Sequence, residues 1–129
     1  MPTNENYIIP LNEMESFYDE PGERGWILEG YKHGLTNTSI IITETAPGGG
    51  PPLHIHHTEE VHVLPQCHIR YVMGDERFEA NGPCVVRIPA EIPHTFLNLG
   101  SEPVRIVCFW PAYNFWPNYE ELGPNPLLG

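Results

Sequence analysis

A chain of 129 residues, 40% of them hydrophobic, is long enough to bury one core and leaves no room for a second catalytic domain. Its formal net charge of −11 arises from 17 acidic against 6 basic residues, the latter spread singly as Arg24, Lys32, Arg70, Arg77, Arg87 and Arg105. A surface of that sign repels phosphate backbones and anionic headgroups, so neither nucleic acid nor a membrane is an expected partner.

The segment from Met1 to Tyr7 is polar, with no basic stretch leading into an apolar one, and no apolar run could span a bilayer. The expected location is cytoplasmic. With 15 Pro, 12 Gly and no sustained helical period, the chain reads as all-β. Met1 to Glu23 is acidic and mixed, with one turn of helix expected within Leu11 to Tyr18. A strand over Gly25 to Tyr31 and the turn Lys32-His33-Gly34 lead into a β-branched strand over Thr38 to Ala46. Pro47-Gly48-Gly49-Gly50-Pro51-Pro52 breaks it. Further strands are expected over His54 to His57, Glu60 to Leu64, Ile69 to Met73, Glu76 to Ala80, Cys84 to Ile88, Thr95 to Leu99 and Val104 to Trp110. Turns at Gly74-Asp75, Asn81-Gly82-Pro83 and Gly100-Ser101 separate them at the short intervals of a sandwich or barrel. The expected domain is single over 1–129, with its barrel core at about 25–110 and an aromatic tail over 111–129.

The candidate metal ligands are His54, His56, Glu60 and His94. The first two, at i and i+2 on a strand, project from one face and can grip one ion together. Glu60 follows four residues on, and His94 comes much later, its approach stiffened by Pro93. Imidazole and carboxylate suit one divalent transition metal, with Fe, Zn, Mn and Ni as candidates. Glu60, His62 and Leu64 share a strand face, so an inward Glu60 brings His62 inward too. His62 is then either an acid/base or substrate-contacting group beside the ion, or a hydrogen-bonded core histidine. His57 has the opposite parity and belongs at the rim; His33 and His68 belong to turns or the surface. Glu59 is expected in solvent. Arg70 and Arg87 either orient an anionic substrate or, as isolated arginines more often do, form surface ion pairs.

Two motifs resemble those of the cupin superfamily. Gly50-x3-His54-x-His56-x3-Glu60 with Val61-His62-Val63-Leu64 is similar to the first cupin motif, and Ile88-Pro89-x3-Pro93-His94-x3-Asn98 to the second. Ala46-Pro47-Gly48 and Arg70 to Glu76 extend the likeness over most of the chain. The resemblance implies a small jelly-roll β-barrel with short irregular N- and C-terminal extensions, in which His54, His56, Glu60 and His94 converge on one metal inside the mouth. Three positions depart from the pattern: Cys67 where the first motif closes with Gly, Pro83 where the second opens with Gly, and Glu91 where a Pro-x-Gly glycine is expected. Each replaces a turn residue and spares a ligand.

Cys67, Cys84 and Cys108 are odd in number and widely spaced, which fits free thiols rather than a disulfide framework or a metal knuckle. Cys67 alone falls at a turn beside the ligand strand. The tail, Phe109 to Tyr119, is dense in aromatics that must be buried, either as the wall of an apolar pocket or against the barrel's outside and a second subunit; packing and a homodimer contact are the favoured expectation. Two classes of function remain. In one, the metal activates an oxygen-bearing substrate, for dioxygen chemistry or for isomerisation, cyclisation or elimination, with Glu60 as ligand and proton acceptor and His62 as proton shuttle. In the other, the same barrel is a non-catalytic module binding a small polar ligand. The enzyme is the favoured reading.

Overall fold

The computed structural model describes residues 7–128. They form eleven strands: β1 (Glu15–Asp19), β2 (Glu23–Leu28), β3 (Ser39–Thr45), β4 (Leu53–His56), β5 (Glu60–Leu64), β6 (His68–Met73), β7 (Glu76–Asn81), β8 (Cys84–Ile88), β9 (His94–Asn98), β10 (Val104–Trp110) and β11 (Tyr119–Gly123). Two antiparallel sheets result, one in the order β1-β2-β3-β10-β5-β8 and the other β11-β4-β9-β6-β7. Facing each other as a jelly roll, they enclose Ile27, Ile41, Leu64, Ile69, Tyr71, Ile88, Phe96, Ile106 and Trp110, all buried. Among the described residues no helix is long and apolar enough to cross a membrane.

Period-two alternation drives this arrangement. Along β3 the burial pattern alternates strictly, Ser39, Ile41, Thr43 and Thr45 facing in and Ile40, Ile42 and Glu44 half-exposed. In β5 the inward set is Glu60, His62 and Leu64, so one strand delivers both ionisable groups to the interior. The proline- and glycine-rich segment 47–52 docks on the end of β9. Gly48 N–H donates to the Asn98 carbonyl, Asn98 N–H to Gly49, and the Thr95 hydroxyl to Pro51. Gly50 is required there because a Cβ would stand 1.9 Å from the Phe96 carbonyl oxygen.

Both ends depart from expectation. Only Leu11–Glu13 forms a 3-10 turn; Glu15 to Asp19 pairs with β2 as an edge strand, because inward Phe17 packs on the core. The strand expected over Gly25 to Tyr31 runs from Glu23 to Leu28 and gives way to a 3-10 turn at Gly30–His33. The tail does not leave the barrel. The Phe115 N–H donates to the Glu29 carboxylate at 2.8 Å and the Tyr31 N–H to the Tyr113 carbonyl at 2.9 Å, which turns the chain back. The 3-10 turn at Trp116–Asn118 then feeds β11 onto the free edge of β4, with Tyr119 opposite His56 and Glu121 opposite His54. Deleting residues 111–129 should therefore lower Tm by at least about 5 °C, the shift that ~1 kcal/mol produces in a domain of this size. An unchanged Tm in that truncation would show that β11 contributes nothing to the barrel.

Glu23, only 2% exposed, accepts a hydrogen bond from the Thr45 hydroxyl. Burial pushes its carboxyl up to about 8, against the opposing Thr45 hydrogen bond and with a further push from Asp19. The folded protein thus keeps a proton that the unfolded chain releases above 4.5. Stability falls as pH rises from there to about 8, by at most about 1.4 kcal/mol per pH unit, and the contribution is fully present only below the lower value. Glu23→Gln imitates the protonated side chain, so denaturant unfolding from pH 5 to 8 should find the variant gaining steadily on the parent protein. A difference between the two that does not vary with pH would refute this assignment.

Candidate metal centre

His54 and His56 reach inward from β4, Glu60 from β5 and His94 from β9, where His94 is the register partner of His54. One ligand atom from each of the four lies within 4.8 Å of the others, a cluster able to coordinate a divalent transition metal. All four are buried, His94 and His56 at 1% and 3% exposure. Such burial is costly for three imidazoles and a carboxylate unless something compensates it.

The hydrogen bonds around the rings define what the cluster offers. Nδ1–H of His54 donates to the Pro52 carbonyl at 2.7 Å, and Nδ1–H of His94 to the Ile92 carbonyl at 2.9 Å. In neutral imidazoles this leaves Nε2 as a bare lone pair. Nε2 of His94 nevertheless lies 3.1 Å, and Nε2 of His56 3.5 Å, from Oε1 of Glu60. A lone pair facing a carboxylate oxygen is repulsive unless a cation or proton sits between them, so the donor set fits a bound metal. The His54 ring is pushed down to about 3 by burial first and then by the neighbouring His94 and His56, which keeps it neutral and ligating. Burial likewise lowers His56, whose Nδ1 has no hydrogen-bond partner. Burial opposes ionisation of Glu60 most strongly, yet His62, His94 and His56 together hold its carboxyl well below the usual range.

The second oxygen of Glu60 belongs to His62. Nε2 of His62 is 3.3 Å from Oε2, and Nδ1 is 2.9 Å from the Tyr71 hydroxyl. Because an ionised carboxylate only accepts, the neutral ring carries its proton on Nε2 and accepts from Tyr71 at Nδ1. Burial raises the Tyr71 phenol well above its ordinary value, so that donor stays protonated. Glu60, His62 and Cys108 also form a second close group on the same wall.

His54, His56, Glu60, His62 and Cys108 open on a cavity of about 190 Å³ between the sheets. Its walls include Phe96, Phe115, Trp116 and Tyr119, and His56 stacks on Trp110 with ring centroids 5.4 Å apart. The tail therefore supplies a wall of the pocket, because the turn at Glu29 and the open edge of β4 draw it inward. His57 is exposed and bonded to Glu91, Glu59 is exposed, and His68 bonds Glu79 at the surface. Arg70 pairs with Glu79 and Arg87 is exposed on the outer face of β8; neither lines the cavity, so neither orients a substrate there. Cys67 and Cys84 are half-buried and Cys108 is buried in the cavity wall. Sequence reasoning missed Tyr71, Thr43 and Glu23, and offered the tail as a pocket wall only as the less favoured of two readings. The alternation within 39–45 already places Thr43 inward, whereas nothing local assigns Tyr119 to the edge of β4.

The cupin domain family matches this chain over residues 41–110. An uncharacterized protein of Methanocaldococcus jannaschii is 28% identical over 90 residues, 68% of each chain. Oxalate decarboxylase of Lactobacillus farciminis, in a formate complex, superposes with a TM-score of 0.76 at 24% identity, covering 86% of this chain. Oxalate decarboxylase of Bacillus subtilis, an enzyme with Mn(II) centres, superposes with a TM-score of 0.77 at 17% identity over 95% of this chain. The chain spans about a third of the length of these two, 34% and 37%, and the likeness is one of fold.

Saturating Mn(II) or Zn(II) should raise the Tm of the chelator-treated protein, since a metal at 100 times its Kd stabilises the fold by about 2.7 kcal/mol. Neither His94→Ala nor Glu60→Gln should respond to the same metal. Equal metal-induced shifts in the parent and both variants would place the ion elsewhere.

Proposed function

This chain belongs to the cupin domain family, and from that premise we propose that it is a metal-dependent enzyme acting on a small oxygen-bearing molecule, with His54, His56, Glu60 and His94 holding one divalent ion. The observation that carries this reading is the convergence of imidazole lone pairs and a buried carboxylate on one point, at the wall of a cavity large enough for a small ligand. A bound divalent ion would supply Lewis-acid polarisation of a coordinated oxygen, or dioxygen chemistry in the case of iron.

The protein's own groups supply orientation and proton handling. Pro52 and Ile92 carbonyls fix the rings of His54 and His94 through Nδ1, which leaves Nε2 of each free to hold the ion. Phe96, Phe115 and Tyr119 restrict water. His62 lines the same cavity and holds its Nε2 proton against Oε2 of Glu60, with the Tyr71 hydroxyl donating to Nδ1 and fixing the ring's tautomer. That chain makes His62 the candidate proton shuttle and Glu60 the acceptor.

One observation favours a binding module instead: both nitrogens of His62 are already engaged, as in a purely structural histidine. Two measurements separate the readings. Elemental analysis of anaerobically purified protein identifies the metal, iron indicating oxygen chemistry and zinc, manganese or nickel Lewis-acid chemistry. His62→Gln should then cut turnover about 100-fold or more while metal content holds. Absence of turnover across a panel of carbonyl, enol and phenol substrates, with His62→Gln weakening only ligand binding, would establish the binding module.

A further inference from the structure

The cavity does not end at the metal ligands. From His54 and Glu60 it extends between the sheets to Asp19, Glu23 and Thr43, and Glu121 of β11, the register partner of His54 and near enough to Asp19 to raise its carboxyl, also lines it. Two independent features mark this far pole as built for a ligand. Thr43 is 4% exposed and lines the cavity, yet its hydroxyl has no hydrogen-bond partner. A buried hydroxyl is seldom left unpaired without a function. Glu23 lies on the neighbouring strand, where β2 and β3 pair Gly25 with Thr43 and Glu23 with Thr45. Its Oε1 accepts from Thr45, and among the described residues no lysine or arginine pairs with it. Four carboxyl groups, Asp19, Glu23, Glu60 and Glu121, line the cavity, and among the described residues no lysine or arginine does.

We propose that Asp19, Glu23, Thr43 and Glu121 form a recognition subsite for a cationic amine, so that the substrate carries an ammonium group at one end and an oxygen donor at the other. The metal reading above supplies the oxygen end; the ammonium end stands on the far pole alone. A compact ammonium has three donors and satisfies Glu23, the Thr43 hydroxyl and one rim carboxylate together. A dianion such as oxalate finds the metal for one carboxylate but carboxyl groups and no counter-charge for the other, which separates this pocket from what the fold likeness alone suggests. Because burial pushes the Glu23 carboxyl up to about 8, the free protein at neutral pH holds it mostly protonated. Ammonium binding favours the ionised form and expels that proton to the buffer.

A matched set of probes tests this on the full chain: ω-aminoalkanoates of two to five methylenes, each against isosteres whose ammonium is replaced by methyl, hydroxyl or carboxylate. Titration calorimetry with Mn(II) bound, and again after chelation, should find the best amine about tenfold or more tighter than every isostere, the scale of one charged contact. At pH 7, repeating it in buffers of different ionisation enthalpy should detect release of about one proton. Glu23→Gln should abolish the preference and the proton release, and Thr43→Val should reduce the preference. If Glu23→Gln fails to fold, Thr43→Val decides, an undiminished preference counting against the subsite. Removing the metal should weaken every probe alike while leaving the amine preference in place; an amine affinity unchanged by chelation would sink the metal-bound oxygen end and leave the ammonium subsite standing. Equal binding of the hydroxyl or methyl isostere, tighter binding of the dicarboxylate, or no binding of any amine probe would overturn the proposal.

Discussion

A carboxylate that is 4% exposed keeps its charge only if something within reach compensates it, and the Glu60 carboxylate is placed so that three strands must cooperate to do so. One oxygen is held by a ring from its own strand, His62, and the other faces β4 and β9 through His56 and His94. Because β5 belongs to one sheet and β4 and β9 to the other, the site ties the two sheets together at the centre of the barrel. A metal there satisfies the carboxylate and the opposed lone pairs at once. Without it the same groups are a concentrated destabilisation of the core, which links metal occupancy to folding stability.

The orientation of the rings depends on backbone rather than on other side chains. The carbonyls that fix His54 and His94 both come from segments that prolines hold extended, Pro51-Pro52 before β4 and Pro93 before β9. A proline's fixed φ and missing donor leave its neighbours' carbonyls free for such use. The segment at 47–52 is itself clamped to β9 through Asn98, whose side-chain amide donates to the Thr45 and Glu102 carbonyls. The asparagine closing the second motif therefore acts on the site through loop geometry, without approaching the ligands.

Residues whose placement follows from strand parity were legible in the sequence. His54 with His56, and Glu60 with His62, needed only the alternation of a strand, and β5, β8 and β10 occupy the spans that turn residues delimit. What could not be read is whatever depends on a partner distant in the chain. Tyr119 to Gly123 carries two glutamates and little β-branched character, and it becomes a strand because β4 offers an open edge and Glu29 turns the chain toward it. Tyr71 is likewise unremarkable by composition. It enters the site because β6 lies beside β9, which sets its ring near Phe96 and its hydroxyl on His62.

The departures from the family pattern have a physical reading at Glu91. Its φ of 66° lies in the left-handed region, where a glycine would sit without strain and a glutamate costs about 1 kcal/mol or more. The side chain that makes the conformation costly also offsets it: the Glu91 carboxylate accepts from Nδ1 of His57 at 2.8 Å, while the Glu91 N–H donates to the His56 carbonyl at 2.8 Å. Both contacts land on the end of β4, immediately beyond the metal ligands. A glycine would relieve the strain and keep the N–H bond to His56 but lose the carboxylate contact, so the exchange trades backbone ease for a second connection between the β8–β9 turn and the end of β4.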